Sequence, residues 1–325
     1  MNTRLRAAIA APLGLLATGV ASACATCGCS LNADAVTGYS ASAGLRFSVQ
    51  YDYLHQDELS GGTGAAGSVP AGDELERETL SRYVTAGVSY SPNADWRLDL
   101  KLPYVIRSHS TYGTYDPTQP LPPASASHSS SIGDGRVVVG YQGLLPSHNL
   151  GLQVGIKLPT GAYGTHVNFS SGPLAATPLD ASLQPGTGST DVIAGAYYYQ
   201  PVSQTFDLIF TGQWQHAFRE HLDAPGNDYR PGDVTTATAG LRYVADMRLT
   251  PQVQLNVTRH EADRGALADT QGTAGTTVFA SPGIAVQAMA RVHLYGFVQL
   301  PVYRNLSGHQ LFPRYIVTAG ISYGF

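Results

Sequence analysis

The sequence predicts an all-β fold: a transmembrane, antiparallel, up-and-down β-barrel of about twelve strands behind a cleaved signal peptide. Three observations carry this expectation. The chain ends on an amphipathic strand, Tyr315–Phe325, whose Tyr315, Val317, Ala319, Ile321, Tyr323 and Phe325 share one face while Thr318, Gly320, Ser322 and Gly324 share the other. The same period of two recurs along the chain, and the connections between the repeats alternate between short and long.

The first repeat is Leu45–Tyr53, with Leu45, Phe47, Val49, Tyr51 and Tyr53 on one face and Arg46, Ser48, Gln50 and Asp52 on the other. It recurs at Val84–Tyr90, Trp96–Leu102, Val137–Tyr141, Leu150–Leu158, Asp191–Tyr199, Phe206–Trp214, Ala237–Tyr243, Val253–Val257, Val278–Ala288 and Val292–Val302. A period of two is a strand with one apolar and one polar side. Short turns are expected at 91–95, 144–148, 200–204, 244–248 and 288–291. Long polar loops are expected at 55–75, 108–131, 161–188, 218–232, 261–274 and 305–313. Short turns at one end and long loops at the other are the outer-membrane arrangement, and an even strand number puts both termini in the periplasm. A soluble β-sandwich would instead bury the face assigned here to lipid.

The N-terminus fits export. Arg4 and Arg6 precede an apolar run, Ala7–Val20, that is interrupted by Pro12, and Ala21-Ser22-Ala23 offers a peptidase site. The run is too short for a spanning helix. The expected organisation is therefore a signal peptide over 1–23, a periplasmic cysteine-containing tail over 24–44 and an outer-membrane barrel over 45–325. Charged residues make up 13% of the chain and mean hydropathy is −0.07, too polar for an inner-membrane helical protein. A net charge of −4 argues against a nucleic-acid partner. The expected location is the bacterial outer membrane, with lipid around the barrel and the assembly machinery reading the end of the chain at Phe325.

Several segments resemble one family. Ser131-Ile-Gly-Asp-Gly-Arg-Val-Val-Val-Gly-Tyr141, Gly155-Ile-Lys-Leu-Pro-Thr-Gly161, Gln184-Pro-Gly-Thr-Gly-Ser-Thr-Asp191 and Phe297-Val-Gln-Leu-Pro-Val-Tyr303 are together similar to the outer-membrane "transporter" barrels linked with the meta-pathway of phenol degradation. The resemblance covers Leu45 to Phe325. It implies a barrel that passes small organic, often aromatic, solutes. The cysteine-rich tail is not part of that pattern.

The polar face places Arg46, Asp52, Arg97, Asp99, Lys101, Arg136, Lys157, Asp207, Arg242 and His293 in the lumen, Lys101 and Lys157 being the chain's only lysines. Two readings stand for this mixed-charge set: a constriction that selects solutes, or a salt-bridged filling that holds the barrel in shape. Asp134 and Asp191, each at a strand entry, are expected as turn residues or as partners for arginines or a Ca²⁺ ion. Cys24, Cys27 and Cys29 allow lipidation of Cys24, a disulfide, or a soft-metal site serving a periplasmic redox or metal partner. Gly28 stands where haem attachment would need a histidine. No cofactor is expected, and no enzyme. His216, His221 and Ser203 are not spaced as a catalytic cluster, and Gly320-Ile-Ser-Tyr-Gly324 lies in a strand rather than a strand-to-helix turn.

Overall fold

Alternating side chains leave one sheet face apolar and one polar, and a sheet in lipid must also pair every backbone N–H and C=O. Closure satisfies both demands. The structure, a computed structural model, describes residues 43–170, 177–178, 180–220, 229–246 and 248–325. The expected signal peptide, and with it the tail as far as residue 42, lies outside them. The strands are β1 (Gly44–Gly62), β2 (Gly64–Ala65), β3 (Glu74–Ser91), β4 (Trp96–Thr114), β5 (Ser125–Ile132), β6 (Gly135–Tyr141), β7 (Leu150–Leu158), β8 (His166–Val167), β9 (Thr177–Pro178), β10 (Ser189–Pro201), β11 (Phe206–Glu220), β12 (Val234–Tyr243), β13 (Leu249–His260), β14 (Gly275–Met289) and β15 (Val292–Gly324).

Eleven of these form a closed ring, β1-β3-β4-β6-β7-β10-β11-β12-β13-β14-β15, and β15 returns to β1. β5 continues β6 across Gly133–Asp134 and pairs the upper part of β4. β2 folds back on the end of β1, and β8 pairs β9 in a separate ribbon. Every pairing in the ring is antiparallel, which requires an even number of staves. The 33-residue β15 supplies the extra one. Its first limb pairs β14 up to Leu306 and its second pairs β1 from Leu306 onward. Gly308, at φ +56°, lies at the top of the hairpin, and the amide of Gly324 reaches the carbonyl of Arg291 at 2.9 Å. The wall therefore has twelve staves.

Burial is inverted relative to a soluble protein. Phe47, Val49, Tyr51, Leu100, Leu102, Val154, Phe210, Leu255, Val298 and Ile321 are exposed on the outside, while Gln56, Thr79, Ser81, Ser281, Gln299 and Thr318 are at 0%. The outward belt ends on aromatic side chains at the lower rim, among them Tyr90, Trp96, Phe206, Tyr243 and Tyr323, as an interfacial girdle requires. Among the described residues no helix is long and apolar enough to cross a membrane.

The expected long loops are in part strand. β1 runs to Gly62, β3 starts at Glu74, β4 runs to Thr114, and the segment 305–313 lies within β15, paired on either side of the hairpin top at 307–309. A strand of 19 residues, the length of β4, reaches on the order of 60 Å, about twice the hydrocarbon core. The staves project well beyond lipid, and there Ser, Thr, His and Glu occupy both faces, so the apolar period disappears while the ladder continues.

The lipid face makes a direct prediction. Leu100→Arg, in mid-belt, should destabilise the barrel by about 2–4 kcal/mol, against about 0–1 kcal/mol for Ser108→Arg above the belt. The midpoint of urea unfolding in phospholipid vesicles reads the difference; equal small effects would contradict the assignment of this face to lipid.

Candidate functional site: the barrel lumen

All ten charged or titratable residues expected in the lumen lie on inward-pointing positions of their strands. Register aligns three of them in one row with Asp191, and a second carboxylate, Asp134, lies nearby. Lys101 on β4 is the Cα partner of Arg136 on β6, Arg136 that of Lys157 on β7, and Lys157 that of Asp191 on β10. Lys157, 3% exposed, donates to Asp134 at 3.0 Å, Ser189 at 3.1 Å and Thr187, and its ammonium lies 3.1 Å from Asp191. Asp134 also accepts from the amides of Gly161 (3.0 Å) and Thr187 (2.9 Å), and Asp191 from Ser189 (2.6 Å) and Gln215 (2.5 Å).

Three of the four segments that carry the family resemblance meet here. Thr160 donates to the carbonyl of Gly133 at 2.9 Å and accepts from the amide of Gly135 at 2.8 Å, while Gly161 and Gly186 touch backbone to backbone. A Cβ on Gly161 would lie 2.6 Å from Cα of Gly186, so only glycine fits. Asp134 and Asp191 are thus neither mere turn residues nor partners of mouth arginines. They clamp one lysine and close the outer end of β7 onto β10.

Other inward charges find partners on their own stave or the neighbouring one. Arg97 donates to Asp99 at 2.9 Å, and Ser89, the register partner of Asp99, donates to it at 2.5 Å. At the seam between β1 and β15, Asp52 accepts from its partner Thr318 at 2.6 Å and from Gln50, while Tyr295 donates to Gln50 at 2.8 Å. Asp207 and Arg242 are register partners near the lower rim. Arg46 lines a rim cavity with Arg97, Ser89 and Phe325, and His293 lies on the same face of β15 as Tyr295.

The lumen also holds an apolar wall that the sequence reading missed. Leu54, Phe279, Leu306, Phe312 and Ile316 form one buried cluster, and Ala285, Tyr295 and Phe297 another, both on inward positions of β14, β15 and β1. Phe279 and Phe312 stack at 5.8 Å. The parity was there to read: Phe297 shares its face with His293 and Gln299. The β14–β15–β1 wall therefore carries apolar and aromatic clusters among its polar residues, and the β4–β10 wall carries the row of charges.

Above the clamp, the connection from β7 to β10 folds inward. Ser182, Leu183 and Gln184 are buried, and Leu183 packs with Val167. Arg107 spans from the wall to this segment, donating to Ser81 at 2.9 Å, Tyr83 at 2.7 Å and the carbonyl of Ser182 at 3.5 Å. Beside it, above the lipid belt, His109 bonds Thr79 at 2.9 Å. Burial, aided by Arg107, holds the His109 imidazole down to about 4, even though Glu76 lies 4.0 Å away. His216 is held by Asp233 at 2.7 Å and Arg230 at 3.1 Å near the outer end of β11, whereas Ser203 caps the turn before that strand. Ser322 of the Gly320–Gly324 segment is an inward strand residue. Cys24, Cys27 and Cys29 lie outside the described residues, as does His221.

No protein-family model and no curated protein matches this chain. Among solved structures, the chain is similar to an outer membrane channel from Pseudomonas putida F1, with 14% identity, a TM-score of 0.60, and coverage of 87% of this chain and 96% of that one. The fold is that of an outer-membrane barrel. Looser likenesses include the CymD monoaromatic hydrocarbon channel (11% identity, TM-score 0.45, 87% and 89% coverage) and the β domain of the Bordetella autotransporter BrkA (12%, 0.47, 87% and 100%).

Two predictions follow from this geometry. Lys157→Met leaves Asp134 and Asp191 buried without their cation and should cost about 3–5 kcal/mol; adding Asp134→Asn and Asp191→Asn should recover part of that loss. Urea unfolding of the three proteins checks the order, and a triple variant less stable than Lys157→Met would refute the clamp. His109 stays neutral in the folded barrel, whereas in the unfolded chain it takes a proton near 6.5. Its contribution is complete above pH 6.5 and is lost progressively as pH falls toward 4. The imidazole signals of His109 should therefore not titrate between pH 8 and 5 by NMR, and His109→Gln should flatten the fall in stability over pH 6.5 to 4.

Proposed function

We propose that the chain is an outer-membrane channel for passive uptake of small organic solutes with an aromatic or otherwise apolar body. The observation that carries this reading is the apolar wall inside the lumen. Phenylalanines 279, 297 and 312 face inward in a position where a porin for hydrated solutes has water. The rings are packed against their neighbours, so a solute gains apolar contact by displacing that packing. The opposite, charged wall orients polar substituents. The resemblance of the Lys-Leu-Pro-Thr-Gly and Gln-Pro-Gly-Thr-Gly segments to the phenol meta-pathway family supports the same solute class. The likeness to the Pseudomonas channel supports the barrel type.

A second reading is favoured by the tight lumen, where Gln56, Ser81, Gln299 and Thr318 are fully enclosed. Under it the barrel is a non-conducting anchor, and the tail with Cys24, Cys27 and Cys29 handles metal or electrons with a periplasmic partner. Uptake of radiolabelled benzyl alcohol by cells that carry the folded protein in their outer membrane separates the two. The channel reading expects an initial rate several-fold above cells carrying no barrel. Equal rates, with the protein folded and present, would end it. Loss of a copper- or redox-linked phenotype on changing the three cysteines to Ser would then support the anchor.

A further inference from the structure

On the lumen face where β4, β6 and β7 meet, three cations stand side by side. Like charges in directly opposed strand positions destabilise a sheet, so each needs compensation. Lys157 has Asp134 and Asp191. Those two carboxylates are already occupied by Thr187, Ser189, Gln215 and the amide of Gly161. Arg136 feels them only through space, as Lys101 feels Asp52. Among the described residues, neither Lys101 nor Arg136 makes a hydrogen bond or an ion pair within 4.0 Å. Both are partly exposed, unlike Lys157.

Below the two cations, the inward row on β6, β7 and β10 is small and apolar. Val138 and Gly155 are partners in the next inward row, and Ile193 is the partner of Gly155 on β10. Asp99, the neighbour of Val138 on β4, is turned to Arg97 and Ser89. Two cations with no direct hydrogen-bond or ion-pair partner, beside an apolar floor, match a molecule with an anionic head and a ring.

We infer that Lys101 and Arg136 form an anion subsite in the lumen, and that the solute is a small aromatic monocarboxylate. Its carboxylate lies between the two cations and its ring over Val138 and Gly155, beside the buried Ile193. The guanidinium offers a planar fork to a carboxylate and the ammonium a second charge, so the anion relieves the repulsion between them. The ring gains by leaving water for the apolar floor. This assignment rests on the channel reading and names the solute class for it.

Benzoate binding to the purified barrel in detergent at pH 7, measured by isothermal titration, tests the subsite without flux. The wild type should bind benzoate at least tenfold more tightly than Lys101→Gln/Arg136→Gln, and at least tenfold more tightly than it binds acetate. Lys101→Gln alone, at a side chain that touches no partner, should weaken benzoate severalfold, and Lys101→Arg should restore it. Failure of the wild type to bind benzoate, or affinity independent of both cations, would overturn the subsite; acetate binding as tightly as benzoate would overturn the aromatic class. In cells, the ratio of benzoate to benzyl alcohol uptake should fall in the double variant. Uptake of neither solute would refute the channel while the titration still judged the subsite.

Discussion

Closure of the sheet is the constraint on which the rest of the molecule depends. In hydrocarbon an unpaired strand edge costs several kcal/mol per orphaned group, so the first and last staves must find each other across the whole sequence. β1 and the second limb of β15 do so from Arg46 opposite Gly324 to Gly62 opposite Leu306, and the amide of Phe325 reaches the carbonyl of Leu45 at 2.8 Å. Closure fixes parity as well as pairing. Once the ring is shut, every second residue must face inward, and the polar half of each amphipathic strand is confined to one narrow space.

That confinement explains the density of hydrogen bonding within the lumen. A buried carboxylate or ammonium without partners is expensive, and the lumen supplies partners from the same stave, the neighbouring stave and the infolded connection. The Lys157 clamp draws on the last two: Ser189 and Asp191 from β10, Asp134 from the break between β5 and β6, and Gly161 and Thr187 from the connection itself. The glycines of the family segments permit this crowding, because a side chain at 161 would collide with the backbone at 186. The charged wall is rigid for the same reason that it is polar.

Much of this was legible in the sequence, and the parts that were not share a cause. Strand existence, inward parity of Arg46 through His293, the twelve staves and the terminal aromatic all follow from period-two alternation, which is a record of contact with lipid. Where staves rise beyond lipid, as in β1 after His55 and β4 after Arg107, the record ends although the strand continues. The clamp was half legible: Lys157, Asp134 and Asp191 each drew notice, but their meeting depends on register, which local spacing does not encode. The apolar wall was missed because a polar lumen was assumed. Phe279 and Phe297 lie beside Val278 and Val298 in sequence, so both faces of β14 and β15 are apolar there, and a strand apolar on both faces signals a second apolar environment inside the barrel.

The two walls differ in what displacement costs, and on the proposed channel reading this difference selects the solute. Moving a side chain of the charged wall breaks bonds that a hydrated ion would have to replace one for one, each loss leaving a buried group unsatisfied. Moving Phe279 or Phe297 breaks dispersion contacts, and moving Phe312 breaks these and its contact with the Arg304 guanidinium, 5.0 Å above its ring; an incoming ring replaces them with contacts of the same kind. A closed lumen and selective passage are therefore compatible when the solute substitutes for the lining it displaces. A ring does so against the apolar wall, and a single carboxylate does so against cations that have no partner of their own. Water and simple salts do neither, so on the proposed channel reading they are excluded where an organic molecule is admitted.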